Sequence, residues 1–331
     1  MKSVTIVIPT YNEERNIGNC LRSIFAQDYD KNKLQVIVAD GGSKDKTQEI
    51  AKKMGAEVLV KPELPNEETR KPFAIKTKAR GEIIGLIDAD NVIPSNEDWL
   101  KRMISPFDDK EIFAADTLYY SFRKNDNLTT KYGALIGGDD PIISYLGFTD
   151  RYCYFKGKWT DMPHEEEDKG DYIKVTLQKD KIPASGSNGF FFRKSVFNKV
   201  KNYPFLHVLF MWDLVNLGYN KIAKVKQGII HAQDGRISTF FKKKLRRMYR
   251  RYGGGDKRFG GGQVEWRYNY GVDKKQLIKT ALYVSTIVLP IKDTIVGFYR
   301  KPTLAWLFHP IASLGVLGIY TYFYFKQGIN F

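Results

Sequence analysis

Hydrophobic positions along the first ninety residues follow two alternating rhythms. Short, largely β-branched runs at 4–8 (VTIVI), 35–39 (QVIVA), 57–60 (EVLV) and 83–87 (IIGLI) predict buried strands. Between the first two, ERNIGNCLRSIFAQ (14–27) places Ile17, Cys20, Leu21, Ile24 and Phe25 on one helical face, and 46–54 predicts a second helix closed by Gly55. Short apolar strands separated by amphipathic helices predict a mostly parallel sheet covered by helices, an α/β fold. The middle, roughly 110–232, mixes short strands with loops. There MPHEEEDKGD (162–171) predicts a solvated acidic loop, in which His164 makes only a weak case for a metal ligand. ASGSNGFFFRKSVF (184–197) passes from small residues, which allow close backbone approach, into an aromatic strand.

The pattern changes near the C-terminus. The segment 303–325 has 23 residues and no Lys, Arg, Asp or Glu, long enough to span a bilayer. An earlier apolar segment, 277–299, is interrupted by Pro290 and by Lys292-Asp293. A charge at mid-bilayer costs at least about 2.5 kcal/mol on insertion scales. Arg300 and Lys301 would also land outside if this segment crossed from the cytoplasm. These features predict a shallow first helix and a spanning second one. The expected division is a catalytic domain at 1–232, a basic juxtamembrane segment at 233–275 and membrane-associated helices at 276–331.

Charge sharpens that division. Of a net +16 over 331 residues, the segment 236–267 carries +9, with eleven Lys or Arg against Asp256 and Glu265. KKKLRRMYRR (242–251) alone holds seven cations. Interleaved aromatics such as Phe240, Phe241, Tyr249 and Tyr252 would also suit nucleic acid. Adjacency to the apolar tail instead predicts an anionic membrane surface as partner, and no nucleic acid. The two cysteines, Cys20 and Cys153, make no CxxC and no disulfide framework, which fits a reducing compartment. MKSVTIVIPT runs straight into a strand without the apolar stretch of a signal peptide. The expectation is a cell-membrane protein with its catalytic part on the cytoplasmic side.

In α/β sheets, ligands gather at the carboxyl ends of strands. The first strand ends in PTYNEE (9–14), not in the GxGxxG turn of a dinucleotide fold. The second ends in DGGSKDKT (40–47), where Asp40 is placed to accept hydrogen bonds from a nucleoside; Asn12, Ser43 and Asp45 have a plain reading as turn residues. Another strand ends in GLIDADN (85–91), where Asp88 and Asp90 flank Ala89. Two carboxylates so close need positive charge, and hard oxygen ligands suit Mg²⁺ or Mn²⁺ that retains substrate phosphate. In an extended chain the two acids point apart, so both reach one ion only where the chain bends.

VIPTYNEERNI, VADGGSKDKT and LIDADN, in this order and at these spacings, resemble the inverting family 2 glycosyltransferases, and the chain looks related to their membrane-associated polyprenyl-phosphate mannosyl- and glucosyltransferases. The resemblance, over about residues 3–232, implies a GT-A fold and a nucleotide-sugar donor, GDP-mannose first and a UDP-sugar as the alternative. It further implies Mn²⁺ or Mg²⁺ and a lipid-linked acceptor. Carried onto this sequence, it puts Asp40 near the base, with Pro9, Tyr11 and Glu13 lining the nucleoside pocket. Asp88-Ala89-Asp90 becomes the metal-binding DxD, Ser187, Asn188 and Gly189 an acceptor-side loop, and His231 a further ligand of metal or diphosphate. One departure stands out. Many members carry a Glu-Asp pair whose Asp is the catalytic base, and FLHVLFMWDLVNLGY (205–219) has none. Asp213, the only acid between Arg193 and Asp234, is the candidate, with His207 as alternative. The implied reaction is an in-line displacement through an oxocarbenium-like transition state, needing a base unless the acceptor is an ionised phosphate. Two other readings share the motifs: a nucleotidyltransferase on a similar fold, which lacks its Gly-rich, Arg-containing loop here, and a membrane-tethered nucleotide-binding protein without turnover.

Overall fold

Seven consecutive buried residues make β1 (Val4–Thr10) the strand around which the sheet is laid. The computed structural model describes residues 1–64, 66–200, 205–252 and 273–327. After β1 come α1 (Ile17–Phe25), β2 (Leu34–Asp40), α2 (Thr47–Lys53), β3 (Glu57–Val60), α3 (Glu67–Thr77) and β4 (Ile83–Leu86). β5 (Asn91–Val92), α4 (Trp99–Ile104), β6 (Ala114–Tyr120), α5 (Leu128–Ile136) and α6 (Pro141–Leu146) follow. Then come β7 (His164–Asp168), β8 (Tyr172–Leu177), β9 (Phe190–Arg193), α7 (His207–Asn216) and β10 (Lys221–His231). The chain continues with α8 (Ile237–Tyr252), α9 (Lys274–Ser285), α10 (Val288–Arg300) and α11 (His309–Gln327).

The sheet runs in the order β3-β2-β1-β4-β9-β6-β10-β8-β7, with β5 paired to β10. β1 lies parallel to both β2 and β4, and β2 parallel to β3, as the alternating apolar runs require. Beyond β4 the ladder turns antiparallel through β9. The predicted strands and first two helices form within a few residues of their expected bounds.

Two elements differ from the sequence reading. The acidic segment 162–171 is no loop: 164–168 forms β7, hairpin partner of β8 at the sheet edge. Its side chains are charged on both faces because an edge strand needs no apolar face and is protected by charge. α3 had no apolar stripe to announce it. It buries Glu68, Thr69, Arg70 and Lys71, and carries Pro72 in its interior.

By its contacts the chain divides into two units, Met1–Tyr119 with Pro163–His231, and Tyr120–Met162 with Ala232–Phe331. The second is helical, with a core around Tyr132, Phe240, Trp306 and Phe308. α8 turns Phe240, Lys244 and Met248 inward and leaves Lys242, Arg246 and Arg247 exposed. Lys244 pairs with Asp139 (3.0 Å) and Asp140 (2.9 Å). The fully buried His309 accepts or donates at both ring nitrogens, 2.9 Å from the Tyr132 and Tyr145 hydroxyls. α9 and α10 meet at an 84° bend, while Leu304–Lys326 is, among the described residues, the one continuous helical segment long and apolar enough to cross a membrane. The Gly-rich stretch 253–262 and the cations Lys257, Arg258 and Arg267 lie outside the described residues, as do the side chains of Arg250 and Arg251.

The approach of β4 to β1 depends on Gly81, just before it. Its amide donates to Thr5 Oγ1 (2.8 Å), and a Cβ there would meet the backbone of Val4 and Thr5. Gly81→Ala is expected to destabilise the protein by about 1–3 kcal/mol, as overpacking does. Thermal unfolding of the full chain reads this out, and an unchanged midpoint would refute it.

Candidate active site

The turns after β1 and β2 are laced together by short polar side chains. Asn12, at φ 57°, donates its amide to Ser43 Oγ (2.8 Å) and accepts from the Lys44 amide (2.9 Å). The Glu13 amide donates to Thr47 Oγ1 (2.7 Å) and the Glu14 amide to Asp45 Oδ2 (3.1 Å). Asn12, Ser43 and Asp45 thus act as turn residues. Asp40 is fully buried at the centre of this lacing. It accepts from the Gly42 amide (2.9 Å), the Ser43 amide (2.8 Å) and hydroxyl (2.5 Å), Thr10 Oγ1 (2.8 Å) and Gln48 Nε2 (2.8 Å). Its carboxylate organises the turn. Pro9 is buried in β1, Tyr11 is exposed beside Gly41, and Glu13 is half-buried.

β4 delivers the paired acids, and the chain bends where they sit. The Asn91 amide donates to Asp88 O (2.9 Å), the Asp88 amide donates to Asn91 Oδ1 (3.1 Å), and Asn91 Nδ2 donates to Asp90 Oδ1 (3.1 Å). Ala89 is buried between them. β5 pairs antiparallel with the end of β10, Asn91 opposite His231, and this sets His231 Nε2 3.3 Å from Asp90 Oδ2. Burial raises the Glu13 carboxyl above its usual range. Asn16 offsets part of that, and the fields of Asp90, Asp45 and Asp88 add to it, so all four acids share one edge.

The positive charge opposite Asp88 is Lys71, which the sequence reading did not single out. From α3 its ammonium reaches Asp88 Oδ1 (3.2 Å) and Glu67 Oε2 (3.0 Å). Burial alone would lower this ammonium; Asp88 and Glu67 outweigh it and hold the group firmly charged. Arg70, one residue before, is 4% exposed, lies against Gly41 and donates from Nη1 to Leu64 O (2.9 Å). Its Nε finds no acceptor among the described residues.

The loop before β9 borders the same strand end. Gly189 donates its amide to Leu86 O (2.9 Å), which brings Ser187, Asn188 and Gly189 beside the end of β4. Gly186, at φ 109°, packs directly on His207, the first residue of α7. Asp213 sits half-buried six residues further along that helix.

For Mn²⁺ or Mg²⁺, the donor set fits with a condition. Among the described residues no three His, Cys, Asp or Glu side chains converge to hold an ion by themselves. The Asp90 carboxylate and the His231 imidazole offer two adjacent ligands, which suits an ion that takes the rest from substrate phosphate and water.

Lys71→Met would leave Glu67 and Asp88 facing each other without a cation. Breaking a fully buried pair costs roughly 3–5 kcal/mol. Here Glu67 and Asp88 keep 45% and 30% side-chain exposure, so about 1–3 kcal/mol is expected. Lys71, ahead of His207 and Arg70, lowers the Glu67 carboxyl. That contribution is therefore present at neutral pH and lost as pH falls through the carboxylate range. Thermal midpoints should differ fully between wild type and variant near pH 7 and converge only as pH falls below 4.5, the ordinary value beneath which Lys71 holds the Glu67 carboxyl; a gap of constant size would refute the pairing.

Comparison with known proteins follows the same segments. The sequence profile described as Glycosyl transferase family 2 matches residues 5–200. Glycosyltransferase AglE of Haloferax volcanii is 34% identical over 107 residues, 31% of this chain and 34% of that protein. The dolichyl N-acetyl-alpha-D-glucosaminyl phosphate 3-beta-D-2,3-diacetamido-2,3-dideoxy-beta-D-glucuronosyltransferase of Methanococcus voltae is 43% identical over 54 residues, 16% of this chain and 17% of that one. The matches thus span about a third or less of these relatives' length. Among solved structures, mannosyltransferase PcManGT from Pyrobaculum calidifontis, in complex with GDP-Man and Mn2+, shares the fold at a TM-score of 0.53 and 15% identity, covering 95% of this chain and 86% of that one. The profile runs from β1 through the turn after β9, more than half of the sequence, and on that match the chain belongs to glycosyl transferase family 2.

Proposed function

We propose that this protein transfers a sugar from a nucleotide-diphosphate donor to a lipid-linked or membrane-proximal acceptor, using Mn²⁺ or Mg²⁺. The observation that carries the reading is the bent Asp88-Ala89-Asp90 turn, with Lys71 on one acid and His231 beside the other. GDP-mannose is the first donor to test, since PcManGT is solved with it, and a UDP-sugar is the alternative. The dolichyl-linked substrate in the Methanococcus relative's name supports a lipid-linked acceptor.

The roles follow from charge and position. Asp90 and His231, with Asp88 at the same turn, would hold the cation, which when bound supplies charge to the departing diphosphate. Lys71 and Arg70 bring further positive charge to this edge. Tyr11 offers an exposed ring and, with the half-buried Glu13, borders the space assigned to the nucleoside; the buried Pro9 and Asp40 hold the turns behind it. Ser187, Asn188 and Gly189 line the acceptor side. In the helical unit, the exposed Lys242 and Arg246 of α8 suit an anionic membrane surface, each cation contributing about 1 kcal/mol there, while Arg247 is paired with Asp139 (2.5 Å). Leu304–Lys326 is read as the span, with the catalytic unit on the cytoplasmic side.

Calorimetry and turnover of the full chain in detergent test the reading with GDP-mannose and UDP-glucose. One nucleotide sugar should bind in Mn²⁺ and lose at least about tenfold in affinity with chelator or in Asp90→Asn, roughly 1.4 kcal/mol or more. Equal affinity with chelator would remove the metal from the proposal. Absence of binding by any nucleotide sugar would remove the donor. Binding without release of nucleoside diphosphate would favour a tethered binding protein.

A further inference from the structure

We propose, resting on the transferase reading above, that His207 is the group that takes the acceptor's proton, and that the acceptor therefore attacks through a hydroxyl rather than a phosphate.

The acids at the strand ends are already committed. Asp40 is enclosed by the turn it organises, Asp88 faces Lys71, and Asp90 faces His231. A base for an incoming hydroxyl must come from another element, and α7 begins beside this edge. The Phe205 amide donates to Glu68 O (2.7 Å), fixing the approach to α7 against the first turn of α3. On the other side the His207 backbone and Cβ pack on Gly186, next to the Ser187-Asn188-Gly189 loop. His207 is half-buried, and the edge it adjoins carries alternating charge in Asp88, Lys71 and Glu67.

Asp213 is placed differently. Six residues along an α-helix carry it about 9 Å down the axis and about 120° around it from His207. Its neighbours Phe210, Met211 and Leu214 are buried in the apolar core of this unit. Imidazole is also the side chain whose ordinary titration lies closest to neutral pH, as a general base there requires.

In the step, the acceptor O–H bond breaks and its proton goes to an imidazole nitrogen of His207. The oxygen's electron pair forms the new bond to the anomeric carbon. The bond from that carbon to the diphosphate oxygen breaks, and its electron pair leaves with the nucleoside diphosphate. The imidazolium then returns its proton to water.

The test uses the full chain in lipid nanodiscs, with Mn²⁺, whichever of GDP-mannose and UDP-glucose binds, and two acceptor probes. One is a prenyl phosphate, which attacks through an anion. The other is a prenyl-diphosphate-linked N-acetylglucosamine, which attacks through a hydroxyl. His207→Ala should lower kcat on the hydroxyl probe by about 10²–10⁴-fold, leave donor affinity unchanged, and be partly restored by added imidazole. Transfer to prenyl phosphate, if the wild type performs it, should change little. Asp213→Asn should stay near wild type. Retained hydroxyl transfer by His207→Ala overturns the proposal. So does equal loss on both probes without imidazole rescue, or a wild type that uses only the phosphate. A wild type that binds donor but turns over neither probe overturns the transferase reading itself.

Discussion

Lys71 carries its charge to a place where little water reaches, and an ammonium persists there only while carboxylates meet it. Glu67 is a local partner, one turn earlier on α3. Asp88 is not local: it arrives from the end of β4. The ammonium therefore ties a helix to a strand end and fixes where the chain bends after β4. The rest of the edge is placed from that bend. Asn91 closes it, β5 pairs with β10 because of it, and His231 is thereby brought to Asp90. On the other side the Glu68 carbonyl holds the approach to α7, so the same first turn of α3 positions both the Asp88 turn and the start of α7.

What could be read from the sequence divides along physical lines. β1 to β4, α1 and α2 advertise themselves by apolar period, which local chain geometry turns into buried faces. The strand-end acids were legible too, since a carboxylate after an apolar run has few reasons to be there. α3 was not legible, because the side chains it buries are the polar Glu68, Thr69, Arg70 and Lys71, which read as surface in one dimension. Pro72, inside this helix, is a residue that helix interiors ordinarily exclude. The partner of Asp88 was hidden for the same reason: its pairing spans seventeen positions and has no periodic signature. The start of α7 posed a different difficulty: its place beside the Ser187-Asn188-Gly189 loop comes from Gly186 packing on His207, a contact between residues twenty-one positions apart. β7 escaped because strand reading looks for an apolar face that an edge strand need not have.

The helical unit applies the same rule to its interior. Lys244 points inward from a helix otherwise rich in outward cations, and Asp139 and Asp140 meet it there. Tyr320 adds its hydroxyl to Asp140 (2.5 Å), so a residue of the apolar α11 is held by a polar bond. His309 is likewise satisfied at both nitrogens by tyrosines. Apolar packing around Phe240, Trp306 and Phe308 brings these helices together; the buried polar bonds add a specific register among them.

The acidic hairpin at the end of the sheet has a bearing on crowding. Among the described residues β7 leaves one side of its backbone without a neighbouring strand, and confinement to a membrane surface would raise the frequency with which copies meet edge to edge. Glu165, Glu166, Glu167 and Asp168 put acids on both faces of that edge, and a second copy pairing there would bring the same acids alongside them; such an edge is poorly suited to joining two sheets.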